Sequence, residues 1–144
     1  MLEVYRGTFA VKTALPLLLY PVSAGFPSPA DDFIESEIDL SRLLISNRPA
    51  TFLVRVKGTS MIEAHLFDGD LAIDDRSLTP QSGDVVVVDV DGDRSFKVWR
   101  RHHDGPPLSF ANATMPPYRF AAEAVVEVWG VVSGSISPGR RCGL

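Results

Sequence analysis

Two side chains in this sequence could do chemistry together: the hydroxyl of Ser60 and the amine of Lys97. Ser60 stands in Gly58-Thr59-Ser60-Met61, which interrupts a strand-like run, Thr51-Phe52-Leu53-Val54-Arg55-Val56. Glycine permits the backbone of a tight turn, and such a turn leaves amide N–H groups facing outward. The N–H groups of Ser60 and Met61 could then hold the oxyanion that forms when a carbonyl is attacked. Taken alone, a serine beside a glycine is an ordinary turn residue. Lys97 lies in Ser95-Phe96-Lys97-Val98-Trp99, among large apolar residues, and strand alternation puts Ser95 and Trp99 on its face. An exposed lysine laid along a sheet is the common case. A buried one has its pKa lowered by desolvation, and a neutral amine can take a serine proton. The residue types leave both alternatives open.

Other chemistries find less support. The sequence has no CxxC pair, no HExxH and no glycine-rich phosphate loop. His65, His102 and His103 lack a metal-ligand spacing with other strong ligands, so no metal and no cofactor are expected. Half of the Asp residues sit beside Gly in turns, where local side-chain to backbone hydrogen bonds are expected.

The elements that must position Ser60 and Lys97 read as strands. Leu71-Ala72-Ile73 follows an Asp68-Gly69-Asp70 turn. Asp84-Val85-Val86-Val87-Val88-Asp89-Val90 reads as a buried strand, and Asp91-Gly92-Asp93 as the hairpin turn that returns the chain through Arg94 to Arg100. Leu108-Ser109-Phe110, Tyr118-Arg119-Phe120 and the run from Ala124 to Val132 supply further strands. Before them, Ser28-Pro29-Ala30-Asp31 reads as a helix start. Phe33, Ile34, Ile38, Leu40, Leu43 and Leu44 make an apolar stripe at helical spacing, as two short helices broken near Asp39. The fold class predicted is mainly β: a small, mostly antiparallel domain over residues 31–135 with short helices. Residues 1–30 form an extended N-terminal arm, and residues 136–144 a mobile tail rich in Ser, Gly and Arg.

The arm has its own signal. Pro16, Pro21, Pro27 and Pro29 deny it regular helix. Its apolar run from Ala14 to Val22, with Val22 and Ala24 at the −3 and −1 positions, has the look of an export signal, but Pro16 and Pro21 make a poor helical segment. No run approaches the ~20 apolar residues of a membrane span. The length, 144 residues, is one domain's worth. A net charge of −4 argues against a broad nucleic-acid footprint, so direct nucleic-acid binding is not expected. The single Cys142 cannot form an internal disulfide, and a cytoplasmic location is the default.

The order and spacing of these motifs resemble the LexA/UmuD family of self-cleaving Ser–Lys peptidases. The matching stretch runs from Ala24-Gly25-Phe26-Pro27-Ser28-Pro29 through Ile38-Asp39-Leu40 and Leu43-Leu44-Ile45. It continues through Gly58-Thr59-Ser60-Met61, Asp68-Gly69-Asp70, Gly83-Asp84-Val85-Val86, Val90-Asp91-Gly92 and Phe96-Lys97-Val98 to Gly130-Val131-Val132. The resemblance implies Ser60 as nucleophile, Lys97 as general base, and Ala24–Gly25 as the bond cut. Val22 and Ala24, alternate residues of an extended arm, would then enter the enzyme together. It further implies a homodimer, stimulation by a RecA filament on single-stranded DNA, and a trimmed product that partners a UmuC-like Y-family DNA polymerase in translesion synthesis during the SOS response.

Other readings differ in class. One is a non-catalytic dimerisation or polymerase-accessory module. Another is a LexA-like repressor peptidase domain, disfavoured because the stretch before Ala24 is too short for a DNA-binding domain. A signal peptidase is disfavoured by the lack of a membrane segment.

Overall fold

The computed structural model describes residues 14–18, 22, 24–25, 34–101 and 107–143. The chain divides into two compact units, one covering residues 6–46 and the other carrying Asn47 to the C-terminus.

In the first unit, β1 (Ala14–Leu18) pairs antiparallel with β2 (Ile34–Asp39), with Ala14 opposite Asp39. The helix expected over Ile34–Asp39 is therefore a strand. Ile34, Ser36 and Ile38 fit period two as well as period four, and the partner strand from the arm decides between them. The break at Asp39 is real: its carboxylate accepts from Ser41 N–H at 3.0 Å and caps α1 (Leu40–Leu44). The proposed cap at Ser28 lies outside the described residues.

The second unit holds one six-stranded antiparallel sheet. Its strands are β3 (Thr51–Arg55), β4 (Leu71–Asp75), β5 (Val85–Val90), β6 (Asp93–Trp99), β7 (Leu108–Ser109) and β8 (Val126–Ile136). Their order across the sheet is β3-β4-β8-β5-β6-β7. Asp91 and Gly92 form the two-residue β5–β6 turn with φ of 50° and 86°. Positive φ at both positions matches the right-handed twist of the strands, which is why Asp-Gly stands there. β8 runs further than the sequence suggests. Ser135 and Ile136 pair with Ala72 and Leu71 of β4, so the stretch after Val132 continues a strand. Tyr118–Phe120, in contrast, is not a strand. Its rings pack on the sheet while its backbone joins no strand among the described residues.

Alternation along the strands sorts the core into two clusters. Val86, Val88 and Val90 of β5 join Leu108 and Val131, with Tyr118 and Phe120 against them. Val98 of β6 joins Val56, Met61, Leu66 and Ala72, with Phe96 and Ala111 against them. Burying one such aliphatic side chain contributes ~1.5–3 kcal/mol. β6 thus has Phe96 and Val98 in one cluster, while Lys97, directly opposite Val86, faces the other.

Asp74 of β4 has no exposure, and neither of its carboxylate oxygens has a hydrogen-bond partner among the described residues. Its site exists because residue 130 is glycine: a Cβ there would land on the Asp74 carboxylate. On the same part of the sheet, Arg76 and Arg94 each set a guanidinium against the Trp129 ring, at 4.7 and 4.8 Å from its centroid.

Candidate active site

The turn that carries Ser60 is held from three sides. Beyond β3, Val56 exchanges backbone hydrogen bonds with Asp70 and Gly69, both 2.8 Å. Gly58, at φ +89°, donates its N–H to Asp68 Oδ1 at 2.7 Å. The Asp68-Gly69-Asp70 turn is thus a clamp on the approach to Ser60. Met61, 1% exposed, anchors the far side in the core. A single 3-10 turn (Ile62–Ala64) follows and ends at His65 in the left-handed conformation.

The third support comes from residues 110–113. Ala111 donates its N–H to Ser60 O at 2.9 Å, and Asn112 Nδ2 donates to Thr59 O at 2.8 Å. Glu63 N–H donates to Ala111 O at 2.8 Å, and the Glu63 carboxylate accepts from Ala113 N–H. Asn112 is buried, and its Oδ1 is itself satisfied by the Thr114 N–H and hydroxyl. With its backbone fixed in this way, the turn leaves the N–H groups of Ser60 and Met61 without a protein acceptor among the described residues. The Ser60 side is partly exposed. Two N–H groups without a protein acceptor, beside a hydroxyl, are the equipment an oxyanion needs.

Lys97 is 4% exposed, so the buried alternative is the one the fold realises. Its amine donates to Ser95 Oγ at 2.7 Å and to Phe96 O at 3.1 Å. It also faces two rings, 4.5 Å from the Tyr118 centroid and 5.0 Å from that of Phe110. No carboxylate is paired with it among the described residues. Burial pushes the amine below the ordinary lysine value. A lysine in this setting gives up its proton more readily than one in water.

The 110–113 segment touches the surroundings of each group separately. β7 pairs with β6 through Val98–Ser109 and Trp99–Leu108. The chain then presents Phe110 to the Lys97 amine and Ala111 to the Ser60 carbonyl. In this conformation the amine is hydrogen-bonded to Ser95 Oγ and Phe96 O, and not to Ser60 Oγ.

The expected arm residues lie in the other unit. Val22 is 78% exposed, and Ala24 and Gly25 are exposed as well. His102 and His103 fall outside the described residues, and His65 is exposed. Among the described residues no group of three or more His, Cys, Asp or Glu could hold a metal ion. No helix among them is long and apolar enough to cross a membrane.

Ser95, Asn112, Phe110 and Tyr118 gained no role from the sequence. Strand alternation does place Ser95 on the Lys97 face. The other three are remote in sequence, and no local pattern ties them to Ser60 or Lys97.

Comparison with known proteins adds a likeness over most of the chain. A model of the family described as peptidase S24-like matches residues 16–133. Protein ImpA of Salmonella typhimurium is 45% identical over 126 residues, covering 88% of this chain and 86% of that protein. Protein MucA of Escherichia coli is 35% identical over 124 residues, 85% of this chain and 84% of its own. The LexA repressor of Thermotoga neapolitana is 35% identical over 140 residues, 95% of this chain and 67% of the repressor.

Proposed function

Because the chain belongs to the S24-like family, that of the LexA/UmuD self-cleaving peptidases, we propose that Ser60 and Lys97 are the nucleophile and base with which it cuts its own Ala24–Gly25 bond. The observation that carries this reading is the burial of the Lys97 amine with neutral partners only.

The chemistry follows from the groups present. A serine hydroxyl is a weak nucleophile until a base removes its proton. Neutral Lys97 takes the Ser60 proton as Oγ attacks the carbonyl carbon of Ala24. The new oxyanion is held by the N–H groups of Ser60 and Met61; losing one such donor typically costs ~3 kcal/mol. The tetrahedral centre collapses, the Ala24–Gly25 bond breaks, and the Lys97 ammonium passes its proton to the departing amine of Gly25. Water, deprotonated by the same lysine, then releases the acyl group from Ser60. The products are residues 1–24 and 25–144. Small side chains suit the arm: Val22 and Ala24 are small enough for shallow pockets, and Gly25 lets the chain bend at the cut.

The reaction needs the amine to turn from Ser95 Oγ and Phe96 O toward Ser60 Oγ. Such a step is a natural point of control. In this reading a RecA filament on single-stranded DNA favours the reactive arrangement, the protein acts as a homodimer, and the trimmed form serves a UmuC-like Y-family polymerase in the SOS response. The location is cytoplasmic. The relatives named ImpA, MucA and LexA support a place in that pathway.

Single substitutions test the assignment. Ser60→Ala and Lys97→Ala each abolish the fragment that begins at Gly25, and His65→Ala leaves it unchanged. Persistent cutting in Lys97→Ala, or its loss in His65→Ala, would show that another group is the base.

A further inference from the structure

We propose that the rings of Phe110 and Tyr118 form a cage that binds Lys97 as an ammonium and raises the pH at which it releases its proton. The proposal deepens the Ser60–Lys97 reading and rests on it for its functional meaning.

The geometry is that of a cation set against two rings that meet at a corner. The Lys97 nitrogen lies 4.5 Å from the Tyr118 centroid and 5.0 Å from that of Phe110. The two rings meet edge to face, 5.2 Å apart at 70°. Phe120 stands behind Tyr118 at 5.5 Å and keeps that ring in place. An ammonium has three donors and no acceptor. Two of its donors are used by Ser95 Oγ and Phe96 O, which leaves one for the rings. The negative face of an aromatic ring attracts a cation and does nothing comparable for a neutral amine.

Two opposed effects therefore act on one nitrogen. Burial disfavours its charge, and the rings favour it. The elements around it supply no other charge among the described residues: Val86 faces it from β5, Leu108 follows on β7, and the Tyr118 phenol is the titratable group beside it. Asp93, at the start of β6, and Asp91, in the β5–β6 turn, act on Tyr118. The cage favours the resting, protonated lysine, which cannot accept a proton from Ser60. It thus works as a brake on premature cutting that is released when the amine leaves the rings.

The test reads the amine itself. In full-length Ser60→Ala protein, which keeps its arm, the Lys97 side chain is followed by NMR as pH rises. Tyr118→Leu and Phe110→Leu remove a ring and keep an apolar side chain. Each is expected to lower the titration midpoint by about half a pH unit or more. Tyr118→Phe keeps the ring and leaves the midpoint where it was. An unmoved or raised midpoint in the leucine variants overturns the cage, because the rings then only exclude water. Should Tyr118→Leu fail to fold, Phe110→Leu decides by the same criterion. Cutting that survives Lys97→Ala, by contrast, would remove the dyad reading and leave this midpoint result intact.

Discussion

Ser95 Oγ accepts a 2.7 Å hydrogen bond from the Lys97 amine, two residues along the same face of β6. Strand alternation alone makes this contact available, because residues i and i+2 lie side by side. It fixes the end of a side chain with four rotatable bonds, and it does so with a neutral acceptor. A carboxylate at this position would lock the lysine in its charged form.

Removing that acceptor should separate position from basicity. A hydrogen bond to a charged group contributes about 1.5–3 kcal/mol. Ser95→Ala is therefore expected to shift the midpoint of the pH profile downward by about one pH unit and to leave the plateau rate equal or higher, because the amine has to leave this acceptor to reach Ser60. Ser95→Thr keeps the hydroxyl on a strand-favouring residue and should restore both. The check is a pH–rate profile for the three proteins.

Asp74 makes stability depend on pH in an unusual direction. Burial lifts its pKa from 3.8 to about 6, with Arg76 opposing and Asp75 adding to the shift. The folded protein therefore holds this proton more tightly than the unfolded chain does. The contribution is fully present below pH 3.8 and is lost as pH rises through about 6. Its full size is on the order of 3 kcal/mol. Asp74→Asn should raise the Tm at pH 8 and leave it nearly unchanged at pH 4, measured by calorimetry in a Ser60→Ala background.

Gly130 is the residue that makes room for that carboxyl. A Cβ at this position meets Asp74 Oδ2, Cγ and Oδ1 together. Overpacking of this kind typically costs 1–3 kcal/mol, so Gly130→Ala should destabilise the sheet by about 2 kcal/mol. The loss should shrink when Asp74→Ala is present in the same chain, because the two sites share one space. Urea denaturation of the single and double variants measures this coupling.

Much of the sheet was legible because its signals are local. Asp91-Gly92 announces its hairpin, and the valine run of β5 announces a buried strand. What failed depends on distant partners. Ile34–Asp39 is a strand because Ala14–Leu18 lies beside it, and Ser133–Ile136 stays in β8 because β4 offers it an edge. At the site, Ser60 and Lys97 stand out by residue type and by their turn and strand. The rings over the amine and the Asn112 bond to Thr59 O arise from a segment that the sheet brings back from elsewhere. Whether Lys97 is buried likewise could not be read from its neighbours in sequence. It follows from Tyr118 and Phe110 packing over it.

The proteolytic role of a neutral Lys97 is tested most directly by following the mass of the purified protein over time across pH 7 to about 10.5. The expected product begins at Gly25. Its rate of formation rises with pH and levels off below the ordinary lysine value of 10.5, since burial lowers this amine. A rate that does not change with pH, or an equal rate in Lys97→Ala, would contradict the assignment of this amine as the base.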